Sequence, residues 1–406
     1  LHDASGALLE RSNLTREKSQ RSNYGGLIGY AVYKNDKVTT DFGVSWTSYG
    51  SDHWGSATSV VKASDFSGKS EYYRNFCGKN DVSLFAKLLW EAFRGFNVYA
   101  DIQYRFVDYN IKGVNDTYNY TTKTMDALDI YKAYNFINPK VGISYNFCKY
   151  HKVYASGAMA NREPTRNDFT NAPADNMPKP ERLYDVEAGY SVASKWVTGT
   201  LNLYYMFYKD QLCMTGGQNP DTYEALYTNI ADSYRRGIEL DITATPLKWL
   251  WFGGNVTLSQ NRALNYTEYL YNEDTYTTDA IYLGTTDLAY SPNVTALIKA
   301  GVETHGFSAG WYTHYVGRQY ITNSSNENLT IDPYWVTNLK LGYSINLKNA
   351  CRIVLGVSLN NLFNAEYCSN AFASSSVSGG VRTDTGYYFP QAKFNATGSV
   401  KIIISN

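Results

Sequence analysis

The sequence contains no run of about 18 apolar residues, so no transmembrane helix is written into it. It also lacks any excess of charge: 37 basic and 37 acidic side chains cancel. That balance removes the attraction that nucleic acid or an anionic membrane surface would need, and no nucleic-acid partner is expected. Cysteine is scarce, with Cys77, Cys148, Cys213, Cys351 and Cys368 scattered and none in the close paired spacing of a zinc site. Cys148 and Cys351 suit small apolar positions in strands, whereas Cys77, Cys213 and Cys368 fall in expected loops. No G-x-S-x-G elbow, paired-His metal motif or phosphate-binding glycine loop is present. The chain is therefore not expected to be an enzyme or to hold a metal or cofactor. Helical periodicity is almost absent.

What is present is tyrosine, 38 residues of it, and one unit repeated along 406 residues. Each unit is an alternating strand, a tight turn, a second alternating strand and a long polar stretch. Turns fall at 35–36, 94–95, 149–151, 195, 246–248, 304–306 and 348–349. Stretches rich in Asn, Asp, Ser, Thr, Gly and Tyr fill 49–80, 110–135, 162–182, 209–231, 263–290, 320–333 and 364–388. Short connections on one side and long ones on the other are the pattern of an outer-membrane β-barrel.

A barrel wall requires lipid-facing residues at one parity and lumen-facing residues at the other. In 183–192, Tyr184, Val186, Ala188, Tyr190 and Val192 oppose Leu183, Asp185, Glu187, Gly189 and Ser191. In 234–245, Tyr234, Arg236, Ile238, Leu240, Ile242 and Ala244 oppose Arg235, Gly237, Glu239, Asp241, Thr243 and Thr245. The segments 38–47 and 96–106 alternate in the same way. A two-sheet soluble sandwich would also alternate. Three features favour the membrane: strands longer than the usual 5 or 6 residues, aromatic clusters at strand ends such as Trp249 and Trp251, and loops that are long on one side only. The fold class is thus all-β, an antiparallel transmembrane β-barrel with about fifteen strands present. Single-chain bacterial barrels have even strand numbers, and plugged transporters have 22, so about seven preceding strands are expected. Leu1 is neither an initiator Met nor part of an apolar signal segment, so an export signal is expected ahead of it. Residues 1–20 are read as the end of an outside loop, and 21–406 as the barrel with long outer loops and short periplasmic turns.

Three groups of residues resemble the barrel of TonB-dependent outer-membrane receptors. The first is Asn161-Arg162-Glu163-Pro164-Thr165-Arg166 with Lys179-Pro180-Glu181 and Val186-Glu187-Ala188-Gly189-Tyr190. The second is Ser233-Tyr234-Arg235-Arg236-Gly237-Ile238-Glu239-Leu240. The third is Val357-Ser358-Leu359-Asn360-Asn361-Leu362-Phe363-Asn364-Ala365-Glu366-Tyr367, followed by Tyr387-Tyr388-Phe389-Pro390-Gln391-Ala392. The resemblance spans the chain as the C-terminal part of such a barrel, and it implies uptake of a scarce, bulky nutrient such as an iron–siderophore or a cobalamin-like molecule. It also implies a plug, absent from this sequence, that couples the barrel to the TonB energy machinery, and a Gram-negative outer membrane as the location. The matching glutamates, Glu187 and Glu239, would then face plug arginines.

Residue by residue, Glu187 and Glu239 have lumen parity, as does Arg235. Arg162, Arg166 and Glu181 are candidates for a polar lattice at the lumen mouth. Arg236 has lipid parity and should snorkel to the interface. Tyr72, Tyr73, Tyr118, Tyr120, Tyr266, Tyr269, Tyr271, Tyr276 and Tyr320 are the loop residues suited to ligand binding, since tyrosine offers a flat apolar face and a polar tip at low entropic cost. His53 is a candidate contact for a metal chelate. A passive porin-like channel and an adhesin barrel are alternatives that would share the same wall.

Overall fold

The computed structural model describes residues 13–61, 68–119, 122–172, 176–218, 225–275, 277–347 and 351–404. The first strands are β1 (Leu14–Lys34), β2 (Val38–Val60), β3 (Ser70–Phe93), β4 (Phe96–Asn119) and β5 (Thr124–Cys148). Next come β6 (His151–Arg162), a short helix α1 (Arg166–Thr170), β7 (Glu181–Ala193), β8 (Val197–Gln218), β9 (Ala225–Leu247) and β10 (Leu250–Asn272). They are followed by β11 (Thr277–Asp287), β12 (Val294–Thr304), β13 (Phe307–Val316), β14 (Gln319–Tyr320), β15 (Thr330–Ile331) and β16 (Tyr334–Leu347). The chain closes with β17 (Cys351–Asn360), β18 (Cys368–Ser378), β19 (Val381–Pro390) and β20 (Asn395–Ile404).

One antiparallel ladder runs from β1 to β10 in chain order and then through β12, β13, β16, β17 and β20. Those fifteen strands are the wall, the number the alternation predicts. Among the described residues β1 pairs only with β2, and β20 only with β17. Tight turns close the short side. Asn35 Oδ1 accepts from the Lys37 and Val38 amides at 2.9 and 2.8 Å. His305 and Gly306 both take positive φ, 45° and 84°, the twist that matches two flanking strands. The turn expected at 348–349 lies outside the described residues.

Side chains follow the predicted parity. Along β7 from Glu181 to Ser191 the odd positions are partly shielded and the even ones are exposed, because a concave wall crowds its inner face. Val186, Leu203 and Ile238 stand outward at 60%, 49% and 46% exposure. The outward rows are in register: Tyr184 pairs with Phe207 and Phe207 with Tyr234, while Ala188 pairs with Leu203 and Leu203 with Ile238. An aromatic row therefore lies above an apolar band. Near the short turns the band ends in a second girdle, where Phe93 stacks on Phe96 at 4.7 Å and Tyr145 and Phe147 follow.

The long side differs from the loops that composition suggests. Segments 49–80, 110–135 and 209–231 are largely continuations of paired strands, and 263–290 pairs as β10 with β11. Residues 14–20, expected as loop, pair with β2. β4 has 24 residues; at about 3.3 Å each, that far exceeds what a band of about 25 Å requires. Hairpins therefore project beyond the band. Outside lipid both faces of a strand meet water or polar neighbours, so the apolar–polar alternation disappears while backbone pairing continues. Segment 364–388 likewise contains the β18–β19 hairpin, whose base is pinned by Asn361. This residue is 3% exposed with φ 50°, and its side chain bonds Ala365 N, Ala365 O and Ala392 O at 2.8, 2.8 and 3.2 Å.

An outward charge in mid-band should be costly and an inward one should not. Leu203→Arg is expected to lose about 2–4 kcal/mol, read from urea unfolding of the protein in lipid vesicles. Thr200→Lys, inward on the same strand, should change the midpoint little. Equal sensitivity would contradict the assigned faces.

Candidate functional site

The hairpins of β3 to β5 rise past the band and close on a small core: Cys77, Val107, Tyr109, Ile111, Ile130 and Phe169. Cys77 is 1% exposed and acts as a packed apolar group rather than a loop thiol. Phe169 comes from α1, in the segment that joins β6 to β7. Its burial supplies about 1.5–3 kcal/mol of apolar transfer, which draws that segment onto the inner face of the hairpins. Thr165 and Asp168 form a reciprocal capping box at its start.

The same segment is held by charge. Glu163 is 6% exposed and accepts from Lys79 Nζ at 2.7 Å and from Arg105 Nη1 and Nη2 at 2.7 and 2.8 Å. Arg105 also reaches Asp81. Burial alone would raise the Glu163 carboxyl, but the hydrogen bonds from Arg105 and Lys79 outweigh it and hold the group below the ordinary glutamate range. Glu163 was no candidate by sequence, because its partners lie 84 and 58 residues away.

Beside this anchor is a polar cavity of about 250 Å³ lined by Lys18, Gln20, His53, Tyr73, Asn115, Asp116, Arg166 and Thr170, with Ser19 and Asn171. It gathers three residues singled out separately by sequence: His53, Tyr73 and Arg166. Lys18 pairs with Asp116 and neutralises it. Arg166 Nη2 donates to Asn75 Oδ1 at 2.6 Å, so it serves the cavity and is not part of the lattice expected with Arg162 and Glu181. Those two form their own pair, Nε to Oε1 at 2.9 Å and Nη2 to Oε2 at 3.0 Å. Burial, then the charge of Arg166, lowers His53 to about 4, so its ring is neutral at pH 7 and can accept as well as donate. Tyr72 is raised to about 12 by burial and then by Asp116. The cavity can cradle an anionic oxygen group between Arg166, the Lys18–Asp116 pair and the neutral donors Gln20, His53, Tyr73 and Asn115.

The other candidates divide. Glu187 lies opposite Ser156 and Tyr204, and Glu239 opposite Asn202. Asn202 links Glu239 to Tyr154: its Nδ2 donates to Glu239 Oε2 at 3.4 Å, and the Tyr154 hydroxyl donates to its Oδ1 at 2.9 Å. Both glutamates thus lie on the same face of one patch of wall. Arg235 donates to Ser291 Oγ at 2.8 Å and Asn261 Oδ1 at 3.3 Å. Tyr266 packs against the core formed by Cys213, Ile230, Ala263 and Leu288. Tyr269 and Tyr271 are exposed on β10, at the parity opposite to buried Glu268 and Leu270. Tyr118 is 36% exposed. Tyr320 donates to Glu327 at 2.6 Å beside Arg318. Tyr120 and Tyr276 lie outside the described residues.

Across the mouth, β18–β19 is tied to the β10–β11 hairpin. Arg382 bonds both Glu268 oxygens, at 2.7 and 3.1 Å, and also Asp384. Asp274 accepts from the Gly379 and Gly380 amides, which lower its carboxyl. Tyr388 donates to Thr330 O. Loops from distant parts of the wall therefore form a connected rim.

A depressed carboxylate stabilises the fold above its unfolded value of about 4.3 and loses that contribution as pH falls through the folded value. Glu163→Gln should leave two cations uncompensated and cost about 2–3 kcal/mol locally. Amide exchange over 163–171, corrected for its intrinsic rate, should then accelerate while the wall is unchanged. In the unsubstituted protein the same acceleration should set in only as pH falls below the ordinary glutamate range. A variant exchanging at the original rate would show that this cluster does not hold the segment.

The family description "TonB dependent receptor-like, beta-barrel" matches residues 4–362. No curated protein sequence matches the chain. Among solved structures, the ferric-catecholate import receptor Fiu of E. coli K12 is similar at 17% identity and a TM-score of 0.67, over 96% of this chain and 55% of Fiu. The ferric yersiniabactin uptake receptor FyuA of Yersinia pestis aligns at 14% identity and a TM-score of 0.69, over 97% and 56%. The siderophore receptor PiuA of Acinetobacter baumannii aligns at 12% and 0.69, over 96% and 56%. The chain thus spans a little over half the length of these structures, and at such identities the likeness shows the fold. With the family match across most of its length, the chain belongs to the β-barrel family of TonB-dependent receptors.

Proposed function

We propose that this chain is the barrel part of an outer-membrane receptor that takes up a bulky anionic metal chelate in a TonB-dependent way. The observation that carries the reading is the polar cavity at the mouth, where Arg166, His53 and Tyr73 converge on the inner side of a wall of this family. A chelate whose metal is wrapped in carboxylate or catecholate oxygens presents the group that such a cavity accepts. The neighbours support the class: their descriptions name ferric catecholate, ferric yersiniabactin and ferric citrate. Coupling to TonB would run through a plug inside the lumen, with Glu187 and Glu239 facing its cations.

The test is growth of an iron-starved host, with and without the gene, on a panel of ferric catecholates, ferric carboxylates and ferric citrate. Loss of growth on one class, restored by the intact gene, is the expected result. Growth independent of the gene on every chelate, together with passive leakage of small solutes, would favour a porin. For the chelate that is used, Arg166→Gln should weaken binding about tenfold, the worth of one charge-assisted hydrogen bond. Tryptophan fluorescence on the purified protein measures it. Unchanged affinity would remove the cavity from the ligand path.

A further inference from the structure

On the outer face Arg182 and Arg236 are partnered differently from two lysines. Lys209 is neutralised by Asp232 at 2.5 Å, and Lys112 lies 3.8 Å from Asp129. Arg182 and Arg236 have amide partners instead. Arg182 Nε donates to Asn161 Oδ1 at 3.0 Å, and Arg236 Nε to Gln260 Oε1 at 2.9 Å. Among the described residues neither arginine has a carboxylate within ion-pair distance. A cation facing lipid with no protein counter-ion is costly unless the membrane supplies one.

The surroundings of Arg236 are shaped for that. Its guanidinium lies 5.4 Å from the centre of the Tyr234 ring, which stacks on Tyr205. Its row (Val186, Tyr205, Arg236, Gln260) sits directly below the aromatic row and directly above the apolar one. Between the Arg236 row and the apolar row runs a groove of about 590 Å³. Its outward walls are Tyr205, Arg236 and Gln260 on one side and Ile238, Leu258 and Val294 on the other. Polar head above, apolar floor below, and the boundary of the band between them is the profile of an amphiphile.

We infer that this groove binds a phosphorylated membrane lipid, with the phosphate on the free Nη edge of Arg236 and an acyl chain along Ile238, Leu258 and Val294. The inference goes beyond ligand uptake: it requires only that the wall faces lipid, and failure of transport would leave it standing. Parity already commits the occupant to lipid, because nothing else adjoins this face inside the membrane; the arginine selects an anionic head. Arg236 is then a lipid anchor that fixes the height of the barrel, and Arg182, two strands away, is a candidate second contact.

The test uses the full receptor in nanodiscs that contain phosphatidylglycerol and phosphatidylcholine in equal amounts. Native mass spectrometry then counts the lipids that stay bound on ejection. Retained lipid should be enriched in phosphatidylglycerol, and Arg236→Gln should reduce that enrichment about fivefold, the weight of one basic residue at an anionic surface. Arg236→Lys should restore part of it. Retained heat-modifiable migration shows that the variants have folded. Equal retention of the two lipids, or enrichment unchanged in Arg236→Gln, overturns the proposal. So does release of the bound lipid by millimolar inorganic phosphate, which would make the site one for a free anion.

Discussion

Inside hydrocarbon no backbone amide or carbonyl can turn to water, so each must find a partner in the chain. The continuous antiparallel ladder meets that demand for the strands between β1 and β20, and the rest of the molecule follows from it. Paired strands force successive side chains to opposite faces, which places Val186 toward lipid and Glu187 toward the lumen with a single step along the chain. Ladder register then aligns like with like. Tyr184, Phe207 and Tyr234 make a belt because their strands are in register, not because they are near in sequence. A carboxylate such as Glu239 is tolerable in a membrane protein only because the same parity delivers it to the polar side, next to Asn202.

Beyond the band the constraint relaxes, and different forces organise the mouth. Water can satisfy the backbone there, yet the hairpins stay paired, and buried groups settle how they lean on one another. The β3–β5 hairpins gather around Phe169 and Ile111, and Glu163 supplies the charge that two inward cations need. The opposite side is drawn together by Arg382, Glu268, Asp384 and Asp274. What results is a rim with a polar cavity on its inner side, rigid where anchored by burial and adjustable where held by exposed ion pairs such as Arg318–Glu327.

The parts legible in the sequence are those governed by parity. The fifteen wall strands, the short turns at Asn35 and Gly306, and the split of Glu187 and Glu239 from Arg236 onto opposite faces could all be read from alternation. The outer halves of β2 to β5 could not, because pairing through backbone alone leaves no pattern in the side chains. Nor could the anchor at Glu163, whose partners are brought together by the fold across many tens of residues. The chemistry of His53, Tyr73 and Arg166 is legible one residue at a time, but only the fold shows that they share one cavity. Tyrosine content pointed to the mouth without saying which rings turn inward: Tyr73 does, while Tyr269 stands exposed.

The whole architecture requires a wall that faces lipid with alternate residues, and spin-label accessibility along β8 tests that most directly. Single cysteines carrying a label would replace residues 200 to 207 in turn, with the protein in a bilayer. The prediction is a period of two: labels at Leu201, Leu203, Tyr205 and Phe207 collide with oxygen dissolved in the lipid. Labels at Thr200, Asn202, Tyr204 and Met206 should instead favour a water-soluble relaxing agent or be shielded from both. A profile without that period, or one with the parities reversed, would contradict the account.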